Sequence, residues 1–132
     1  MNVMSTRIHA ILDYVLAAVL ILTPFVFMFE EHEAAKWVLI YAGIVTFVAS
    51  LLTHDELGMA WAIPMPWHLG LDIVVGAILI ASPWLFGFAD TIWLPHVILG
   101  VIKIMLALAT HWHTSDADTQ PPTARHQIAG QH

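Results

Sequence analysis

Four apolar segments, separated by polar residues, dominate the chain. They cover residues 10–29, 34–53, 69–88 and 92–110. Each is close to the length of about 20 apolar residues that an α-helix needs to cross a bilayer. The pattern therefore predicts an all-α membrane protein with four transmembrane helices. The expected helices cover about 8–29, 34–53, 67–88 and 92–112.

Polar connections of different lengths separate the predicted helices. The connections at residues 30–33 and 89–91 are short, so each is expected to join two neighbouring antiparallel helices. Residues 55–66 form a longer connection that contains Trp61, and tryptophan is enriched at membrane–water interfaces. We expect this connection to be an amphipathic linker lying along the membrane surface. The polar residues 114–132 contain prolines and are predicted to be a disordered tail.

The second half of the chain repeats the first at a shift of 59 residues. This shift aligns His9 with His68, Asp13 with Asp72, Pro24 with Pro83, Phe27 with Phe86, Phe29 with Phe88 and His54 with His113. Because each half holds two helices, both halves enter the membrane in the same direction, as parallel repeats do. We therefore expect two tandem helical hairpins, a first repeat over residues 1–54 and a second over residues 67–113.

A short proline motif interrupts the first and third apolar segments. It reads Thr23-Pro24-Phe25 in the first repeat and Ser82-Pro83-Trp84 in the second. Proline removes a backbone hydrogen bond from a helix, so the motif predicts a kink in both helices. Together with the duplicated His-x3-Asp motif, it resembles the SPW-repeat family of small bacterial integral membrane proteins, over roughly residues 7–113. The resemblance implies four membrane helices and no established reaction.

Composition agrees with a membrane protein and excludes several classes of function. Hydrophobic residues make up 59% of the chain and charged residues 11%, against about 25% charged residues in soluble domains. A net charge of -6 with four Lys and Arg excludes nucleic acid as a partner. The absence of cysteine excludes disulfides and thiolate chemistry. No common phosphate-binding, hydrolase or metalloprotease motif occurs, so we expect no enzymatic activity.

Histidines and carboxylates gather at one membrane face of the predicted topology. Two aspartates lie one turn deeper than two of the histidines, since residues i and i+4 share a helix face. A carboxylate within a membrane helix is costly unless it is paired or faces a polar cavity, so both aspartates are expected to point inward. The set consists of His9, Asp13, His54, His68, Asp72, His111 and His113.

Two hypotheses account for these residues. In the first, each aspartate accepts hydrogen bonds from a neighbouring helix and fixes the bundle, and no cofactor is bound. In the second, the face binds a divalent metal ion or haem, because imidazole and carboxylate groups suit Zn, Fe, Ni or Mn. His54 or His111 would then hold the haem.

Lys103 is a charged residue near the middle of the fourth apolar segment, and the shift of 59 aligns it with Ile44. A central lysine costs about 2.5–3.5 kcal/mol on insertion scales. We hypothesise that it pairs with Asp72 or Asp13 inside the bundle. The alternative is that its flexible stem extends to a polar region.

These features predict a structural or accessory protein of the bacterial inner (plasma) membrane that packs with itself or with a larger complex. The first alternative is a module that binds metal, haem or quinone, and the second is a small proton or ion transporter. Four spans place both termini on one side of the bilayer. Arg7 and Arg125 lie on that side and Lys36 on the other, so the positive-inside rule predicts cytoplasmic termini.

Overall fold

Four helices in up-and-down order form the protein in the computed structural model, which describes residues 6–29, 31–53 and 65–118. They are α1 (Thr6–Val26), α2 (Glu33–Leu52), α3 (Met65–Leu85) and α4 (Leu94–Asp118). The first three are long and apolar enough to cross a membrane, and α4 contains a shorter apolar segment over Leu94–Thr110. The predicted class, an all-α membrane protein, is confirmed.

Two helices extend into segments that were expected to be non-helical. Helix α3 begins at Met65, inside the segment 55–66 that was expected to be a linker. Helix α4 runs to Asp118, so residues 114–118 are helical although they were expected to be disordered. The rest of the expected linker, residues 55–64, and the rest of the tail, residues 119–132, lie outside the described residues.

The two hairpins pack side by side as a four-helix bundle. Helix α1 packs on α2 and α3 on α4, while the hairpins meet where α2 contacts α3 and α1 contacts α4. Helices α1 and α3 therefore lie diagonally opposite each other. The repeat-related Leu20 and Leu79 are fully buried, whereas the repeat-related Val15 and Val74 are exposed on the outside. An outer surface of such apolar side chains contacts the lipid bilayer.

Glycines bring the two helices of each hairpin into close contact. A Cβ atom on Gly76 would lie 2.8 Å from the carbonyl oxygen of Gly100, and one on Gly100 would lie 2.6 Å from that of Gly76. In the first hairpin, a Cβ atom on Gly43 would lie 2.9 Å from the carbonyl oxygen of Ala17. Small residues of this kind allow membrane helices to approach closely.

A Gly100→Ala variant should test this contact. The added methyl group forces the α3 and α4 backbones apart, so we expect the free energy of unfolding to fall by about 1–3 kcal/mol. Gly70→Ala is the matched control, because a Cβ atom on Gly70 in α3 meets nothing within 4 Å. Unfolding in mixed detergent micelles measures both variants, and equal losses would contradict the role given to the close contact.

The two repeats align at one shift for the first helix of each hairpin and at a different shift for the second helix. The shift of 59 holds between α1 and α3. Between α2 and α4 the closely packed Gly43 and Gly100 occupy equivalent places, which corresponds to a shift of 57. Lys103 therefore corresponds to the buried Thr46 and not, as the single shift implied, to the exposed Ile44.

The Ser-Pro-Trp motif ends α3 instead of bending a longer helix. Helix α3 stops at Leu85, two residues after Pro83, and does not continue to residue 88 as expected. Gly87 adopts a left-handed backbone with a φ of 76°, and the Phe88 amide donates a hydrogen bond of 2.8 Å to the Pro83 carbonyl. A left-handed residue followed by such a bond is the Schellman ending of a helix. The motif is thus a helix terminator.

The hydroxyl before each proline bonds within its own helix. Ser82 Oγ donates to the Leu79 carbonyl over 2.8 Å, and Pro83 has no amide hydrogen to bond that carbonyl. In the first repeat, Thr23 Oγ1 donates to the Val19 carbonyl over 2.6 Å. Both hydroxyls therefore donate a hydrogen bond to a backbone carbonyl near the carboxy-terminal end of their own helix.

The aromatic residue after each proline faces outward. Trp84 is 61% exposed and its ring centroid lies 6.5 Å from that of Trp93, while Phe25 is 50% exposed. Exposed aromatic side chains at helix ends suit the membrane–water interface.

The first repeat ends α1 in the same way but without a glycine. Helix α1 stops at Val26, and the Phe29 amide donates to the Pro24 carbonyl over 2.9 Å. Met28 takes the left-handed position with a φ of 59°. A side chain is disfavoured there because its Cβ atom crowds the following carbonyl oxygen.

A Met28→Gly variant is therefore expected to raise the free energy of unfolding by up to about 1 kcal/mol. The repeat-related Gly87→Ala variant should lower it by a similar amount. Thermal denaturation in detergent compares the two. A Met28→Gly protein less stable than the parent would contradict the cost assigned to the left-handed methionine.

Candidate functional site

Five ionisable side chains from α1, α3 and α4 meet inside the bundle, near the amino-terminal ends of α1 and α3. They form what we call the ionic cluster: His9, Asp13, His68, Asp72 and Lys103. Each of these residues is at most 2% exposed. Four of the seven residues expected at one membrane face are thus brought together, with Lys103 added to them.

The imidazole–carboxylate contacts cross between the two repeats. His9 Nε2 lies 3.0 Å from Asp72 Oδ2, and His68 Nε2 lies 2.7 Å from Asp13 Oδ2. Within each repeat the His–Asp contact is longer, 3.3 Å in both cases. The shorter contacts therefore connect α1 to α3 across the diagonal of the bundle.

Lys103 makes the cluster asymmetric. Its Nζ atom donates a hydrogen bond of 2.6 Å to Asp72 Oδ1 and lies 3.6 Å from Asp13 Oδ1. The side chain thus points into the bundle towards the carboxylates and not towards lipid. Asp13 Oδ1 accepts no hydrogen bond from the part of the chain that the structure describes. The two repeat-related aspartates therefore have different surroundings.

Two threonines that no sequence motif indicated contact the second ring nitrogen of each cluster histidine. Thr110 Oγ1 lies 2.9 Å from His9 Nδ1, and Thr53 Oγ1 lies 2.6 Å from His68 Nδ1. Each threonine belongs to the repeat opposite its histidine, and the two correspond at the shift of 57. An alignment of α2 with α4 at that shift is the signal that would have found them.

The side chains of the other three histidines of the expected set lie outside what the structure describes. His54 lies outside the described residues, and the shift of 57 matches it with His111 instead of His113. His111 and His113 lie on the last turns of α4, beyond the side chains that the structure describes.

The four imidazole and carboxylate groups have the spacing of metal ligands. One ligand atom from each of His9, Asp13, His68 and Asp72 lies within 4.8 Å of the others. This donor set suits Zn, Fe or Mn. However, the Lys103 ammonium already contacts the carboxylates, and like charges repel strongly where the dielectric is low. The arrangement can chelate a divalent ion only if Lys103 turns away.

Another buried histidine lies towards the opposite end of the bundle. The ring of His96 lies 6.1 Å from that of Phe29 and 4.8 Å from that of Phe88, measured between centroids. Its Nε2 atom donates to the Ala35 carbonyl over 2.9 Å, which connects α4 to α2. The sequence predicted that His96 lies towards this side of the membrane. It gave no indication that His96 joins α4 to α2, the other diagonal pair of helices in the bundle.

Two apolar grooves lie where the repeats meet. One of about 340 Å³ lies between α1 and α4 and includes Val19 and Pro95 in its lining. The other, of about 180 Å³, lies between α2 and α3 and includes Tyr41 and Val75. No residue of the ionic cluster lines either groove, so neither leads to the cluster.

Comparison with known families places this geometry in context. A family model described as the SPW repeat domain matches residues 7–110. That range contains the whole ionic cluster, both threonines that bond it and both proline motifs. No curated protein and no solved structure matches the chain.

Proposed function

The chain belongs to the SPW repeat family, and we propose that this small multi-pass membrane protein has a structural or accessory role without chemistry of its own. Its two repeats would form one rigid unit that packs with a second copy or with a larger complex in the bacterial plasma membrane. The lipid-facing surface of the bundle would supply the contacts.

The crossed bonding of the ionic cluster carries this proposal. Its shortest imidazole–carboxylate contacts, of 3.0 and 2.7 Å, both join one repeat to the other. The two threonine–histidine contacts also join opposite repeats. Charged and polar groups thus join the two repeats to each other.

Burial of these charges supports a role in specifying one arrangement of the helices. Removing one partner of a buried ion pair is strongly destabilising, because an uncompensated charge remains. A slip of either hairpin along the bundle axis would separate His9 from Asp72 and His68 from Asp13 together. The cluster therefore favours a single register, a use of buried polar groups known from helical bundles.

Extraction from native membranes tests the accessory role. A tagged full-length chain is extracted in mild detergent, and native mass spectrometry determines the mass of the particle. We expect the mass of the particle to exceed the sum of one 14.7 kDa chain and its bound lipid. A monomer under all mild conditions, at native expression level, would contradict the proposal.

Metal binding is the second candidate, and the spacing of the four ligand atoms within 4.8 Å favours it. Elemental analysis of the purified protein separates the two candidates. Stoichiometric metal that disappears in an Asp13→Ala/Asp72→Ala double variant would support the metal-binding module and overturn the structural role. The structural role expects no stoichiometric metal in either protein.

Transport has less support than either candidate. The ionic cluster lies towards one end of the bundle and His96 towards the other. The fully buried leucines Leu20, Leu39 and Leu79 belong to the apolar core of the same bundle. Flux into proteoliposomes that is lost in a Lys103→Met variant would nevertheless favour a proton or ion transporter.

We also propose that both termini face the cytoplasm. Arg7 and Arg125 on that side outnumber Lys36 on the other, in line with the positive-inside rule. A carboxy-terminal reporter that is active only in the cytoplasm tests the assignment, and a signal restricted to the outer side would reverse it.

A further inference from the structure

We propose that the imidazole and carboxylate groups of the ionic cluster bind two protons in place of a metal ion. Both His9 and His68 carry a hydrogen on each ring nitrogen and are imidazolium cations. Thr53 and Thr110 act as positioning residues, because their hydroxyl oxygens accept the second ring hydrogen. This inference goes beyond the structural role, since neutral hydrogen bonds could also join the two repeats.

The hydroxyl of Thr53 fixes a hydrogen on Nδ1 of His68. Thr53 Oγ1 donates to the Ala49 carbonyl over 2.5 Å. This distance is at the short end of the range for O–H···O hydrogen bonds, so the hydroxyl hydrogen must lie between the two oxygens. A hydroxyl has only one hydrogen to donate. Thr53 Oγ1, which lies 2.6 Å from His68 Nδ1, is therefore an acceptor there, and the ring nitrogen supplies the hydrogen.

The repeat-related contact of His9 has the same arrangement. Thr110 Oγ1 donates to the Leu106 carbonyl over 2.9 Å and lies 2.9 Å from His9 Nδ1. The single hydroxyl hydrogen is again used within α4, so His9 Nδ1 supplies the hydrogen for the second contact. Both cluster histidines therefore donate through Nδ1 to a threonine of the opposite repeat.

The other ring nitrogen of each histidine also faces an acceptor. His9 Nε2 lies 3.0 Å from Asp72 Oδ2, and His68 Nε2 lies 2.7 Å from Asp13 Oδ2. The Lys103 ammonium lies within 4 Å of both carboxyl groups, and a positive charge so close favours their ionised form. An ionised carboxylate has no hydrogen to donate. Each Nε2 atom therefore carries a hydrogen as well, which makes each ring an imidazolium.

The protonated rings leave no place for a divalent ion. A metal binds imidazole through a ring lone pair and requires that nitrogen to be deprotonated. Neither His9 nor His68 keeps such a lone pair. Each imidazolium is paired with a carboxylate of the other repeat, and Lys103 adds a further positive charge that repels a second cation. The four groups with the spacing of metal ligands are thus occupied by protons.

Nitrogen NMR of the purified full-length chain in detergent micelles, with isotope-labelled histidine rings, tests the proposal. The chemical shift of a ring nitrogen shows whether it carries a hydrogen. At about pH 8, where an ordinary histidine is neutral, we expect two rings with both nitrogens protonated. His96 is the internal reference, because its Nε2 atom donates to Ala35 and its Nδ1 atom has no partner among the described residues. It should show one protonated and one bare nitrogen.

Threonine variants make the test specific. Thr53→Val removes the acceptor, and a buried N–H without a partner is costly, so His68 should lose its Nδ1 hydrogen. The number of doubly protonated rings should then fall from two to one. Thr53→Ser keeps the hydroxyl and should retain both. Thr46→Val is the matched control, because Thr46 is also buried but its hydroxyl has no hydrogen-bond partner among the described residues. It should leave the spectrum unchanged.

A bare ring nitrogen on either His9 or His68 in the parent protein would overturn the proposal, and this result needs no variant to fold. Equal changes of the spectrum in Thr53→Val and Thr46→Val would also contradict it, as would stoichiometric zinc retained by the parent after incubation with zinc chloride. The particle mass that tests the structural role does not depend on ring protonation, so the two proposals fail independently.

Discussion

Replacing Lys103 with methionine is expected to lower the free energy of unfolding by about 3–5 kcal/mol, because the buried carboxylates lose the ammonium that faces them. Lys103 Nζ lies 2.6 Å from Asp72 Oδ1 and 3.6 Å from Asp13 Oδ1, and the residue is 1% exposed. Methionine keeps a long unbranched side chain, so the loss reports charge more than packing. Unfolding in mixed micelles of increasing denaturing detergent measures it.

Two further variants isolate the charge effect. Lys36→Met is the matched control, because Lys36 forms a 3.1 Å ion pair with Glu33 at the exposed start of α2. Exposed pairs of this kind contribute about 0–1 kcal/mol. Lys103→Met combined with Asp72→Asn should recover part of the loss, since the carboxylate left behind becomes neutral. A Lys103→Met protein as stable as Lys36→Met would show that Lys103 does not compensate the carboxylates.

Replacing His68 with leucine should cost more than the same change at the repeat-related His9. Asp13 Oδ2 accepts its 2.7 Å hydrogen bond from His68, and Lys103 is 3.6 Å away from Asp13 Oδ1. Without His68, Asp13 approaches the state of an unpaired buried charge, which costs about 3–5 kcal/mol. Without His9, Asp72 still accepts the 2.6 Å bond from Lys103, so the loss should be about 1–3 kcal/mol.

The comparison has an internal control. In a Lys103→Met background the two aspartates become equivalent, so the difference between His68→Leu and His9→Leu should disappear. His96→Leu removes a buried histidine outside the cluster and reports the cost of losing one imidazole hydrogen bond. Equal losses for His9→Leu and His68→Leu in the parent protein would contradict the asymmetry assigned to Lys103.

The fold could be predicted from the sequence because the bilayer imposes a length on each span. Apolar runs of nearly constant length indicated the four helices, and the duplicated His and Asp positions indicated the parallel repeat. The same positions indicated that Asp13 and Asp72 face inward, since a carboxylate in hydrocarbon requires a partner. The family resemblance carried by the proline motif is confirmed by the match over residues 7–110.

Other features of the site could not be predicted, because they depend on the length of the hairpin connections. Between equivalent contact positions the second hairpin is two residues shorter, since Gly100 follows Gly76 by 24 positions and Gly43 follows Ala17 by 26. Apolar periodicity does not record such a difference.

A single shift therefore aligned Lys103 with Ile44 and hid its correspondence to Thr46. It also hid the correspondence of Thr53 to Thr110, whose positions near helix ends resemble ordinary polar boundaries.

The proline motif was expected to bend a helix, because the residue that ends the helix lies after the motif and not within it. A left-handed residue four positions beyond the proline, Gly87 or Met28, ends the helix. Glycine is a recognisable signal for such an ending, but methionine is not. The ending at Val26 thus became apparent only from the backbone.

The crossed pairing of the ionic cluster also constrains how the protein enters the membrane during its synthesis. Helices α1 and α2 leave the ribosome before His68 and Asp72, the partners of Asp13 and His9, which still lie inside it at that moment. Releasing the first hairpin into lipid at that moment would expose a lone carboxylate to hydrocarbon. The first hairpin should therefore stay beside the translocon until α3 and α4 follow, so that insertion is completed by both repeats together.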